Sequence, residues 1–105
     1  EEVIQFFQGT QQKSFKVLLD LFHMNIEEKD IISSIKKAGS LIGHIHLADS
    51  NRWLPGCGHI DFCSVFESLK TVDYEGYMAL ECRIVGKPQD ELPKCIAYLR
   101  TCMQK

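Results

Sequence analysis

Three times in 105 residues an apolar stretch runs into an acid or a histidine and then into a helical pattern, at intervals of about 35 residues. Residues 15–22 (FKVLLDLF) place Val17, Leu18 and Leu19 consecutively, the pattern of a strand buried on both faces, and reach Asp20. Residues 41–47 hold His46 near their end, and residues 77–82 hold Glu81. Strands that alternate with helices in this way pair in parallel through right-handed crossovers, so the expected fold class is α/β with parallel strands. Such folds collect ligands at the carboxyl ends of their strands, where Asp20, His46 and Glu81 all fall.

The connecting segments carry their own signals. Residues 3–8 read as the end of a helix released at Gly9. A helix is expected over residues 26–38, with Ile31, Ile32 and Ile35 on one face, Glu27 and Glu28 near its start, and Lys36 and Lys37 near its end before Gly39. Residues 49–58 are too polar and too rich in Pro and Gly to continue the second strand. Asp61 is placed to cap a helix whose apolar positions are Phe62, Val65, Phe66 and Leu69. The last helix is expected over residues 89–103, with Leu92, Ile96, Leu99 and Met103 as its buried stripe and Pro93 in its first turns.

At 45% hydrophobic and 25% charged, residues 1–105 have the composition of one small domain. A net charge of −2 leaves no basic footprint for nucleic acid. No apolar run approaches the roughly 18–20 residues that cross a bilayer, so the expectation is a cytoplasmic protein with no membrane partner. Five cysteines form an odd set without a CxxC pair, which fits reduced thiols used as small packing groups. Cys95 and Cys102 are spaced to share one helix face.

Taken singly, Asp20 and Glu81 read as caps or surface charges and His46 as a hydrogen-bonded core histidine. Their common position after buried strands changes that reading, because an unpaired charge there is costly. Two carboxylates and an imidazole form a mixed oxygen and nitrogen set suited to a divalent ion such as manganese, cobalt, zinc or magnesium.

Four ordered motifs carry a resemblance: Asp20 to Glu28 (DLFHMNIEE), His44 to Arg52 (HIHLADSNR), Pro55 to Phe62 (PGCGHIDF), and Tyr74 to Tyr77 (YEGY) leading to Glu81. Together they resemble the sugar phosphate isomerase/epimerase superfamily of xylose isomerase-like TIM barrels, nearest to its ketose 3-epimerase branch. The resemblance implies the last three strand-helix units of a (β/α)8 barrel, hence a single incomplete domain. It implies Asp20, His46 and Glu81 as metal ligands, manganese first, with Glu81 also catalytic as one of two acid/base carboxylates. It implies His23 and Arg52 as substrate-binding residues, and C3 epimerisation of a ketose as the parent activity. The family's other glutamate ligand belongs to an earlier strand, so the chain alone is expected to be inactive or nearly so. Hydroxypyruvate or sugar phosphate isomerisation is the enzymatic alternative, and a non-catalytic self-associating barrel piece is the other. His44 is expected to point away from the reacting centre as a packing residue behind it, His59 and Asp61 to order their loop, and Trp53 to line the pocket. A complete barrel needs roughly 250 residues, so association with itself or with the remaining barrel portion is expected.

Overall fold

The computed structural model describes residues 16–104. The expected helix end over residues 3–8 and the start of the first strand at Phe15 lie outside them. The described elements are β1 (Val17–Asp20), α1 (Leu21–Glu27), α2 (Ile31–Ala38), a 3-10 turn (Gly39–Leu41), β2 (Ile42–Leu47), α3 (Phe62–Thr71), β3 (Met78–Leu80) and α4 (Pro88–Met103). The strands form one parallel sheet in the order β1-β2-β3.

Register decides what the sheet presents on each side. Leu19 pairs with Ile45 and Asp20 with His46, while Ile45 pairs with Met78, His46 with Ala79 and Leu47 with Leu80. Side chains alternate along a strand. One face therefore sends Ile45, Leu47, Leu19, Met78 and Leu80 into the helix-covered core with Leu21, Ile35, Phe62, Val65, Phe66, Leu69 and Leu99. The other face carries Leu18, Asp20, His46 and Ala79, and among the described residues no element covers it. Leu18 is 51% exposed for that reason, so β1 is buried on one face instead of the expected two.

Two helices differ from expectation, one in where it starts and one in which residues it buries. The helix expected over residues 26–38 is two helices, because the Asp30 carboxylate accepts hydrogen bonds from the Ile32 and Ser33 amides and the Ser33 hydroxyl and so starts α2 anew. Glu27 and Glu28 consequently fall at the end of α1, while Lys36 and Lys37 do occupy the last turn of α2 before Gly39 at φ 49°. In α4 Leu99 is buried and Leu92 and Met103 pack partly buried against the core as expected, but Ile96 is 39% exposed and Cys95 and Cys102 take the buried positions beside Leu99. Pro93 lies inside α4, where it has no N–H to donate to the carbonyl of the exposed Gln89. The capping role of Asp61 and the four apolar positions of α3 are as expected: Asp61 accepts from the Ser64 amide at 3.1 Å, and Phe62, Val65, Phe66 and Leu69 are buried. Among the described residues no helix is long and apolar enough to cross a membrane.

Candidate active site

Asp20 ends β1 by capping α1, since its Oδ1 accepts from the His23 amide at 3.1 Å. That leaves Oδ2 facing the neighbouring strand, where His46 Nδ1 stands 3.6 Å away and Arg52 Nη2 also stands at 3.6 Å. Neither separation is a direct hydrogen bond. The Arg52 contact is an ion pair, and the Asp20 side chain is only 12% exposed. Strand register produces this meeting, because Asp20 and His46 are partners across β1 and β2. His44 packs against the ligand candidate: its ring lies edge-on to that of His46 at 5.1 Å between centroids.

Arg52 ties the site together from the loop after β2. Its guanidinium reaches His23 Nε2 at 3.2 Å and covers the Phe22 ring at 4.8 Å from the centroid. The backbone of Arg52 has φ 67°, a left-handed conformation that costs a residue other than glycine roughly 1–2 kcal/mol. It is tied on both sides, as its N–H donates to the Asp49 carbonyl at 2.9 Å and its carbonyl accepts from the Arg83 N–H at 2.7 Å. The latter bond, with the parallel bridge between Trp53 and Arg83, extends the sheet one step past β3.

Glu81 lies two residues beyond Ala79, the register partner of His46, and its N–H donates to the Leu47 carbonyl at 3.1 Å. It lines a cavity of about 470 Å³ with Phe22, Asn51, Arg52, Cys82 and Arg83. The apolar wall is thus Phe22, and Trp53, expected to line the pocket, is not among these residues. Burial pushes the Cys82 thiol up, and the charge of Glu81 adds to the rise. Its neutral form is the one that borders the cavity at physiological pH.

The donor chemistry of Asp20, His46 and Glu81 fits a hard divalent ion, and two of the three already adjoin. Among the described residues no three of histidine, cysteine, aspartate and glutamate are grouped closely enough to hold one. The Asp20 carboxylate instead balances the charge of Arg52. His59 and Asp61 serve the loop: the His59 amide donates to the Ser50 hydroxyl at 3.0 Å, and Asp61 caps α3.

Sequence reasoning overlooked Asp49. Its carboxylate is fully buried and accepts three backbone N–H bonds, from Ser50 at 2.8 Å, Ile60 at 3.0 Å and Gly56 at 2.8 Å. The available signal was an aspartate entering a loop with two later glycines, the composition of an Asx-type turn.

The sequence matches the family described as "Xylose isomerase-like TIM barrel" over residues 1–102. It is 38% identical over 91 residues to 3-dehydro-D-guloside 4-epimerase from Escherichia coli (strain K12), covering 86% of this chain and 35% of that protein. It is also 38% identical over 81 residues to D-psicose 3-epimerase from Enterocloster bolteae, covering 77% of this chain and 27% of that protein. The fold superimposes on the crystal structure of apo 3-keto-D-glucoside 4-epimerase from E. coli with a TM-score of 0.87 at 35% identity, covering 93% of this chain and 38% of that one. The chain thus spans about a third of the length of the curated relatives it matches.

Proposed function

The chain belongs to the xylose isomerase-like TIM barrel family, and from that membership we propose that it forms the strand-end part of the active site of a metal-dependent ketose epimerase acting at C3. The relatives named above are sugar epimerases. The observation that carries the reading is the meeting of Asp20, His46, Arg52 and His23 at the carboxyl ends of adjacent parallel strands, beside a cavity bordered by Glu81.

Asp20, His46 and Glu81 would hold a divalent cation, manganese first and cobalt, magnesium or zinc otherwise, whose chemistry when bound is to stabilise negative charge on the sugar oxygens. Glu81, a carboxylate at the cavity wall, serves as the acid/base that exchanges the proton of the carbon next to the ketone. Arg52 and His23 orient the hydroxyls on either side of that carbon, and Phe22 packs against the carbon skeleton. Inversion needs a second acid/base on the opposite face of the sugar. Among the described residues Glu81 is the only carboxylate lining the cavity, so we assign the second to barrel strands outside residues 16–104. Those strands would also cover the open sheet face. The five cysteines, all free, suit a reducing cytoplasmic setting.

The test uses a closed barrel carrying this segment. Glu81→Gln should abolish ketose epimerisation while circular dichroism and melting temperature stay at wild-type values. Undiminished turnover would remove Glu81 from the chemistry.

A further inference from the structure

The Asp49 carboxylate takes no part in the chemistry above, yet it is fully buried and accepts three backbone hydrogen bonds within its own loop. Each oxygen is committed: Oδ1 accepts from Ser50 and Ile60, and Oδ2 accepts from Gly56. Residues 49–60 contain no helix or named strand; beyond the Trp53–Arg83 bridge at one edge and the Asn51 side chain's bonds to Cys57 and Trp53, this buried charge is what ties the two ends of the loop, Ser50 and Ile60, to its middle at Gly56. The same loop holds Arg52 in its left-handed conformation, with the Arg52 N–H on the Asp49 carbonyl and the Asp49 N–H on the Trp53 carbonyl, each at 2.9 Å. From there the guanidinium reaches His23 at 3.2 Å and Asp20 at 3.6 Å.

We propose that Asp49 is a positioning residue that holds the Arg52 guanidinium against His23 and Asp20 by fixing the 49–60 loop. The importance of that placement for a sugar rests on the epimerase reading; the placement itself does not. An amide cannot replace this carboxylate. Asparagine brings one acceptor and one donor, so its NH2 group would face either the Gly56 N–H or the pair from Ser50 and Ile60. Gly58 belongs to the same device. A methyl group there would stand 2.5 Å from Asp49 Oδ1 and overlap the Ser50 hydroxyl oxygen, so the chain leaves that space for the carboxylate.

The experiment is NMR of the full chain, without metal or sugar, following the imidazole signals of His23 and the loop amides. Arg52→Met marks where the His23 signals lie without the guanidinium. Asp49→Asn should move them most of the way to those positions, and should speed exchange of the Ser50, Gly56 and Ile60 amides by about tenfold or more. Core signals of Ile35 and Phe62 should stay in place. Wild-type His23 signals in Asp49→Asn would overturn the proposal. So would a further His23 shift on adding Asp49→Asn to Arg52→Met, because Asp49 would then act by a route other than Arg52. Should Asp49→Asn fail to fold, Gly58→Ala disturbs the cradle with its charge intact and must produce the same movement of His23. A closed barrel carrying this segment that binds neither metal nor ketose would sink the epimerase reading and leave these outcomes unchanged.

Discussion

If Asp20 is a metal ligand as proposed, removing Arg52 should strengthen metal binding, although Arg52 stands in the site. The Arg52 guanidinium and Asp20 carboxylate are 3.6 Å apart, with side chains 27% and 12% exposed. Two unit charges at that distance attract by about 1.2 kcal/mol in the dielectric of water and about 4.6 kcal/mol at an effective dielectric of 20. Measured partly exposed pairs fall near or below the lower figure, about 0.2–1 kcal/mol, because solvent screens them and ordering the side chains costs entropy. A cation that takes Asp20 as a ligand must give up that pairing and also tolerate a like charge nearby. Arg52→Met, which keeps apolar contact with Phe22 and discards the charge, should therefore tighten manganese binding by about fivefold, the equivalent of about 1 kcal/mol. Isothermal titration with manganese on both proteins measures it. Repeating the titration at high salt should narrow the gap, since screening weakens the competing pair. Weaker or unchanged affinity in Arg52→Met would refute the competition argument and mean that Arg52 organises Asp20 for the ion.

Three other outcomes test the fold beneath the site. Phe62 is fully buried, edge-on to Tyr98 and tilted against Phe66; Phe62→Ala should cost about 3–5 kcal/mol in urea unfolding, and a loss under about 1 kcal/mol would mean the α3 core is not packed as described. The Asp30 carboxyl lies below its ordinary 3.8, chiefly because the Ser33 hydroxyl bonds its charged form. Its contribution is therefore present above pH 3.8 and lost as pH falls through the lower folded value, so melting curves of wild type and Asp30→Ala should converge on acidification; parallel curves would exclude the cap. Burial raises the Cys95 thiol from 9.0 to about 11, with smaller contributions from Cys82, Cys57 and Asp49. Stability from keeping it neutral is complete below pH 9.0 and lost as pH rises through about 11. Iodoacetamide at mildly alkaline pH should accordingly modify exposed Cys57 well before Cys95, as mass spectrometry would show; equal rates would contradict the burial of Cys95.

What the sequence made legible was local or periodic. Asp61 followed by Phe62, Val65, Phe66 and Leu69 states a cap and a face within nine residues, and both are found. The sheet's parallel order was legible from alternation alone. The division at Asp30 was not, because helical spacing of apolar residues runs through both helices and only the bonds to Ile32 and Ser33 interrupt it. In α4 the shared face of Cys95 and Cys102 was legible from their spacing and both are buried, but the exposure of Ile96 was not, a choice made by packing against α3 that hydrophobicity does not rank. The Asp49 cradle was beyond reach for a different reason. Its partners lie as far as 11 residues away in a segment without periodicity, and only the folded loop brings them together.

Asp20 shows why the site was nevertheless legible in outline. A parallel strand feeding a helix needs a residue that stops the strand and satisfies the first free amides, and a carboxylate does this with one oxygen. Its second oxygen is then held at the strand's end, facing whatever the neighbouring strand presents in register, here His46. The local rule for ending a strand thus fixes a charged acceptor where the fold collects ligands. Such a rule can be read from the order of residues. The direction from which Arg52 arrives cannot, because a left-handed turn and a buried carboxylate in the following loop set it. Strand ends therefore declare candidate ligands in sequence, whereas the groups that surround a substrate depend on loop geometry that only the fold supplies.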